Sequence, residues 1–231
     1  MNIRIVGFSA SHRKDSNNDT FVKTALESAR ITPDVTTEFV SLAGKTIKPC
    51  TNCRACIKLG KCVLKDDWEE CFRPLLDPIP NGVLFSTPVY FFNVNSQTRA
   101  FMERTTSLIK ALYFKDSKQF PPDWSRTAAG AMAIGYDRNG GQEHAISTTL
   151  HWFLTNRFVT VSAGYLGYIG APGWLMGEYQ KDSILLDTEL GIPCAKELGR
   201  RVATTGYLLK YGDEALKGVI PPEFNLDTAK E

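Results

Sequence analysis

Four cysteines fall within thirteen positions, Cys50, Cys53, Cys56 and Cys62, in the stretch PCTNCRACIKLGKC with spacing C-x2-C-x2-C-x5-C. Thiolates this close together bind metal or do redox work in a reducing compartment and pair as disulfides in an oxidising one. A structural zinc site usually takes two short Cys pairs held apart by a longer spacer, which this spacing lacks. An iron–sulfur cubane needs thiolates at four corners; two-residue gaps can deliver three, and a slightly longer gap the fourth. Bacterial ferredoxins use C-x2-C-x2-C-x3-C-P, where the last cysteine serves a second cluster; here no proline follows Cys62. A single 4Fe–4S cluster held by all four residues is the favoured reading of the spacing, with zinc or a metal-free loop left open. Lys58 and Lys61 could tune such a group, or be solvated loop charges. Cys71 and Cys194 stand apart and read as small core residues.

Three other stretches carry residues suited to a cofactor. SASHRKDSNN, residues 9–18, is neither a G-x-G-x-x-G fingerprint nor a G-x-x-x-x-G-K-[ST] loop. It offers Ser9, Ser11, Ser16, Asn17 and Asn18 around Arg13. At a helix N-terminus, backbone N–H groups and an arginine can hold a terminal phosphate; a polar turn with a serine or asparagine cap gives the same pattern. In STPVYFFNVNSQ, residues 86–97, Pro88, Tyr90, Phe91 and Phe92 set flat, rigid groups beside Asn93 and Asn95. That suits a pocket for a flat heteroaromatic ring, and equally suits aromatics closing a core. In YDRNGGQEH, residues 136–144, Gly140 and Gly141 permit close backbone approach, and Gln142 opens a helix; a plain Gly-rich turn is the alternative. His12, His144 and His151 form no H-E-x-x-H or triad spacing. His144 could relay a proton or sit on the surface, and His151, within TLHWFL, reads as a packed, hydrogen-bonded histidine.

The elements that must position these residues alternate. Apolar runs at residues 3–9, 35–42, 82–91, 128–136 and 159–164 read as strands. Helical periodicity covers residues 17–30, 66–77, 95–113, 141–158 and 194–212. The cysteine stretch falls on a loop between the second strand and the second helix. Residues 165–179, YLGYIGAPGWLMGEY, show no clear period and read as a lid, an interface or a core cover. Alternating strands and helices predict a doubly wound five-stranded parallel sheet in three α/β/α layers, a flavodoxin-like fold. One domain is expected over 1–211, with the cysteine loop at 49–64 and a C-terminal tail at 212–231.

With 231 residues the chain can bury a full core. Its net charge of +2 and lack of a basic stripe argue against a nucleic-acid partner. No apolar run reaches a membrane span, and the first residues do not resemble a signal peptide. Cytoplasmic localisation is the expectation.

The segments SASHRKDSNN, TPVYFFNVNSQTRAFMER and RNGGQE together resemble the FMN-binding loops of the NADPH-dependent FMN reductase group of the flavodoxin-like superfamily. The cysteine spacing is similar to the compact motif of its iron–sulfur flavoprotein branch. The resemblance covers roughly residues 1–160. It implies that Ser11, Arg13, Ser16 and Asn17 form the phosphate loop, with Asn18 where threonine is frequent and His12 where proline is; Ser9 and Asn18 are expected to add hydrogen bonds there. It implies that Pro88, Tyr90, Phe91 and Asn93 line the flavin, with Phe92 replacing a frequent glycine. Gly140, Gly141 and Gln142 would approach the ring from the other side. The implied cofactors are FMN and a 4Fe–4S cluster on Cys50, Cys53, Cys56 and Cys62. The implied donor is ferredoxin or NAD(P)H, and the acceptor a quinone, oxygen species or other small oxidant. A homodimer or homotetramer follows, in which one subunit's cluster approaches another's flavin. Rival readings are a cluster-free NAD(P)H-dependent FMN or quinone reductase, a pure electron carrier, and a zinc-stabilised binding domain.

Overall fold

The computed structural model describes residues 2–113 and 122–219. The first apolar run forms β1 (Ile3–Ser9), and the amphipathic segment after the first loop forms α1 (Asn17–Ala29). They are followed by β2 (Val35–Ser41), β3 (Gly82–Tyr90), β4 (Asn93–Val94), β5 (Ala128–Gly135), β6 (Val159–Val161) and β7 (Ala171–Trp174). The parallel path runs β2-β1-β3-β5-β6, the expected doubly wound order.

Two short strands were not expected. β4 folds back antiparallel on β3 through a tight hairpin. β7 completes the outer edge: β6 pairs with Ala128–Gly130 of β5, and β7 with Met132–Gly135. Pro172 and Gly173 hide β7 in the sequence, because both weaken a strand. An edge position tolerates them, since one side of the strand makes no ladder.

Successive side chains of a strand point to opposite faces, and β1 divides the core accordingly. Ile3 and Ile5 pack with Phe21, Val22 and Leu26 of α1 and with Leu198 and Val202 of α7 (Gly191–Ala215). Val6 and Phe8 face the other layer. That layer comprises α3 (Trp68–Phe72), α4 (Ser96–Arg104), α5 (Thr106–Tyr113) and α6 (Gln142–Thr155), after the short α2 (Ala55–Leu59). There the rings of Phe8, Phe72, Phe85 and Phe101 meet in one buried cluster.

Three helices depart from expectation. The single helix expected over 95–113 breaks at Thr105, whose Oγ1 donates to the Met102 carbonyl at 2.6 Å; such back-bonding bends helices. The cysteine loop contains a helix of its own, α2, so the expected second helix is α3. The last helix runs to Ala215, past residue 211, and residues 220–231 of the expected tail lie outside the described residues.

Candidate functional site

The loop after β1 is built from its own polar side chains. Ser16 caps α1: its Oγ accepts from the Asp19 N–H while the Asp19 carboxylate accepts from the Ser16 N–H, both at 3.2 Å. This reciprocal box fixes where the helix begins. Ser9 Oγ donates to Asp19 Oδ1 at 2.5 Å and accepts from Asn18 Nδ2 at 2.9 Å. Asn18 Nδ2 also donates to the Ser86 carbonyl at 3.0 Å, and Ser86 Oγ donates to Asn18 Oδ1 at 2.7 Å. These contacts stitch β1, α1 and β3 together at the strand ends. Asn17 reaches elsewhere, donating to the Gln180 carbonyl at 2.8 Å and accepting from the Ile184 N–H at 3.0 Å. The side chains of Ser9, Asn17 and Asn18 are thus committed to the frame. Ser11 is buried and accepts from the Arg13 N–H, while the Arg13 side chain is exposed at the mouth of the loop. The N–H groups of Asn17 and Asn18 open α1 without intrahelical acceptors. Asn95, which caps α4, donates to the Ala10 carbonyl at 2.7 Å and ties this loop to the next.

The loop after β3 carries its aromatics outward. Phe91 and Phe92 form the hairpin tip with φ of 47° and 63°, a left-handed conformation that bulky residues rarely adopt and that hairpins normally give to Asn-Gly. Phe91 is fully exposed, and Tyr90 and Phe92 are more than half exposed. Strained backbone of this kind gathers at functional sites. Pro88 is half-buried behind them. Asn93 is committed locally: its Oδ1 accepts from the Val94 N–H and the Thr148 hydroxyl, each at 2.8 Å.

The Gly-rich loop closes on this hairpin. Gly141 has φ of 102°, and a Cβ there would overlap the Phe92 backbone. The close approach that the glycine pair permits is therefore, at Gly141, an approach to Phe92. Gln142 pins the loop to β7, with Nε2 donating to the Asp137 carbonyl at 2.8 Å and the Gly173 carbonyl at 3.3 Å, and Oε1 accepting from the Gly140 N–H at 3.0 Å. His144 is exposed, its ring 6.5 Å from that of Phe92. His151, expected to be packed, is exposed on α6: the helix turns its neighbours Trp152 and Phe153 inward instead.

The four cysteines line one recess, together with Arg104 and Lys110. Asn52, Arg54 and Gly60 take left-handed backbone conformations that fold the loop back on itself. Arg104, on α4, holds the loop's two ends together. Its Nη1 donates to the Lys48 carbonyl at 3.1 Å, just before Cys50, and to Asp66 Oδ2 at 2.5 Å, just after Cys62. Asp66 in turn accepts from the Lys48 N–H at 2.9 Å and the Trp68 N–H at 3.1 Å. Both side chains of this ion pair are 1% exposed, and the guanidinium carbon lies 5.1 Å from the centre of the Trp68 ring. Burial would push the Asp66 carboxyl up, but the Arg104 guanidinium and the two backbone donors hold it below the usual carboxylate range. Lys110 Nζ donates to Asn52 Oδ1 at 2.8 Å. Lys58 and Lys61 are solvent-exposed and do not border the recess, whose cations are Arg54 of the loop itself, Arg104 and Lys110.

The thiols differ in environment. The Ala55 N–H and the Thr51 side chain lower the Cys53 pKa, whereas burial raises that of Cys56. Burial pushes Cys71 and Cys194 up to about 11 each, as befits core residues. Among the described residues no three His, Cys, Asp or Glu side chains converge as they would on a single metal ion. Four thiols bordering one recess suit the donor set of a multi-iron cluster, whose ligands stand at separate corners. One buried polar atom beside the recess supports the fit: Arg104 Nε has no hydrogen-bond partner among the described residues. The sequence drew attention to the cysteines but not to Arg104, Asp66 or Lys110, which lie up to 58 residues from their partners in the loop.

Strand order, a capped polar loop at the first crossover and exposed aromatics beyond the strand ends together mark a flavodoxin-like α/β protein with a candidate cofactor site at its strand ends. The chain belongs to the family of NADPH-dependent FMN reductases, whose model matches residues 3–171. It is 31% identical over 212 residues to an iron–sulfur flavoprotein of Methanocaldococcus jannaschii, a match covering 90% of this chain and 100% of the relative. It is 39% identical over 140 residues to an iron–sulfur flavoprotein of Archaeoglobus fulgidus, covering 60% of this chain and 66% of that one. Among solved structures it is similar to an NAD(P)H:quinone oxidoreductase from Methanothermobacter marburgensis, with a TM-score of 0.59 and 10% identity, over 87% of this chain and 100% of that one; this likeness speaks to the fold. The chain thus falls in the iron–sulfur flavoprotein branch of the group and is an FMN-dependent oxidoreductase. No helix among the described residues is long and apolar enough to cross a membrane.

Proposed function

We propose that this oxidoreductase moves electrons between FMN and a 4Fe–4S cluster held by Cys50, Cys53, Cys56 and Cys62. Ferredoxin or NAD(P)H would be the donor, and a quinone, oxygen species or other small oxidant the acceptor. The observation that carries the reading is the shared recess: all four cysteines border it beside a buried, incompletely bonded arginine. When bound, a cluster supplies single-electron transfer and FMN exchanges one or two electrons.

The chain's own residues divide the remaining tasks. Ser16 fixes the start of α1, so that its first N–H groups and the exposed Arg13 side chain receive the phosphate. Tyr90, Phe91 and Phe92 offer apolar surface to a flat ring, and Gly140 and Gly141 keep the opposite loop low. Arg104 and Asp66 hold the cysteine loop closed. No side chain is needed as a nucleophile, because the cofactor carries the chemistry. The aromatic segment that includes the exposed Tyr165 and Tyr168 is the proposed contact between subunits of a homodimer or homotetramer, and a cytoplasmic setting suits free thiols.

Anaerobic turnover tests the proposal. Protein holding FMN is expected to be reduced by ferredoxin or NAD(P)H and reoxidised by a quinone over many cycles. Flavin that neither donor reduces would refute the assignment of donors.

A further inference from the structure

We infer that Arg104 is a positioning residue that sets the reduction potential of the group held by the four cysteines, by donating a hydrogen bond from Nε to sulfur in the recess. The inference rests on the cluster reading. Arg104 is nearly inaccessible to solvent, yet Nε has no acceptor among the described residues. A buried N–H left unpaired costs about 1–3 kcal/mol, more when the group is charged, so native structures seldom keep one without a reason.

The rest of the guanidinium is fixed. Nη1 is held by the Lys48 carbonyl and Asp66, and the Trp68 ring packs against the plane. The group cannot turn to find another partner without releasing both loop ends. Arg104 itself borders the recess with Cys50, Cys53, Cys56 and Cys62. A sulfide-bearing group held in that recess would bring acceptors that the protein alone does not supply. Of the other cations bordering the recess, Lys110 is already bonded to Asn52 and Arg54 is solvent-exposed.

The consequence is electrostatic. One-electron reduction by the donor adds one negative charge to the cluster and moves no proton. Hydrogen bonds to the sulfurs favour the more negative state and so raise the potential. Asp66 offsets the net charge of Arg104, which leaves the directed N–H as the feature that discriminates between oxidation states.

The test is a redox titration of the cluster, followed by electron paramagnetic resonance, on anaerobically prepared wild type, Arg104→Lys, and the double variant Arg104→Met with Asp66→Asn. The lysine variant keeps the charge and loses Nε. The double variant removes both buried charges together and so avoids stranding one. Iron and FMN are expected to stay in at least one of the two variants. Their cluster midpoints should fall by at least a tenfold change in the reduction equilibrium, about 59 mV for one electron, with the flavin midpoint unmoved. Wild-type cluster midpoints in the iron-loaded variants would overturn the inference and leave the cluster reading standing. Loss of iron from both variants would also overturn it, reducing Arg104 to a clamp on the loop. A wild type without iron and sulfide would overturn the cluster reading and this inference with it.

Discussion

Phe92 and Gly141 are fitted to each other: the Phe92 backbone at the hairpin tip occupies the space that a side chain on Gly141 would need. Two of the loops expected to flank the flavin are therefore held in register with each other. Gly141→Ala meets both this overlap and a φ of 102°, and should cost about 2–4 kcal/mol by denaturant unfolding. It should also lower the FMN retained on purification. Gly164→Ala provides the comparison, because Gly164 has φ of 74° with nothing in contact range of an added Cβ. It should cost only the left-handed backbone penalty of roughly 1–2 kcal/mol, with FMN content unchanged.

The first loop separates frame from binding. Asn18 bonds Ser9 and Ser86 within the buried strand ends. Asn18→Ala should lower stability by roughly 1–3 kcal/mol, read by urea unfolding. Arg13 is exposed, so Arg13→Ala should leave stability within about 0.5 kcal/mol of wild type. Its FMN dissociation constant should rise about ten- to a hundredfold, the loss of one charge-assisted contact, measured by flavin fluorescence. Equal FMN affinity in Arg13→Ala and wild type would remove that residue from the phosphate loop.

The two core thiols should make stability fall at high pH. Cys71 and Cys194 are raised by burial from 9.0 to about 11 in the folded chain. A group whose folded pKa lies above its unfolded value stabilises fully below the unfolded value and loses that contribution as pH rises through the folded one. Wild-type stability should therefore decline between pH 9 and about 11 more steeply than that of a C71A/C194A variant. In the folded protein, iodoacetamide near pH 8 should spare both thiols, because the thiolate is the reactive form; mass spectrometry of the labelled chain checks this.

The loop cysteines should behave as a set. Single changes of Cys50, Cys53, Cys56 or Cys62 to Ser should each remove most of the iron while FMN stays bound, since the two cradles share no side chain. Metal analysis and the flavin spectrum of each variant check this. Cys71→Ala should keep its iron, because Cys71 is buried in the core and does not border the recess.

Much of this was legible along the chain because it is local. A short apolar run and one amphipathic face marked β1 and α1 to within a residue, and four cysteines at short spacing marked out the loop that carries them. What escaped was set by tertiary contact. β7 contains Pro172 and Gly173 and is a strand only because β5 offers it an open edge. The break at Thr105 depends on one hydroxyl turning back to Met102. Ser9, Asn17, Asn18, Asn93 and Gln142 have the types of ligand-binding residues, yet their side chains serve the frame, a distinction that no spacing encodes. Arg104 looked like one more charge on an amphipathic helix until the fold brought it against a loop more than forty residues earlier in the chain. Its buried pairing with Asp66 becomes visible only there.

The most direct measurement is the content of iron, acid-labile sulfide, zinc and FMN in protein purified without air. About four irons and four sulfides per chain, together with one FMN and no zinc, are expected. Flavin without iron or sulfide, or a single zinc per chain in their place, would contradict the cluster reading.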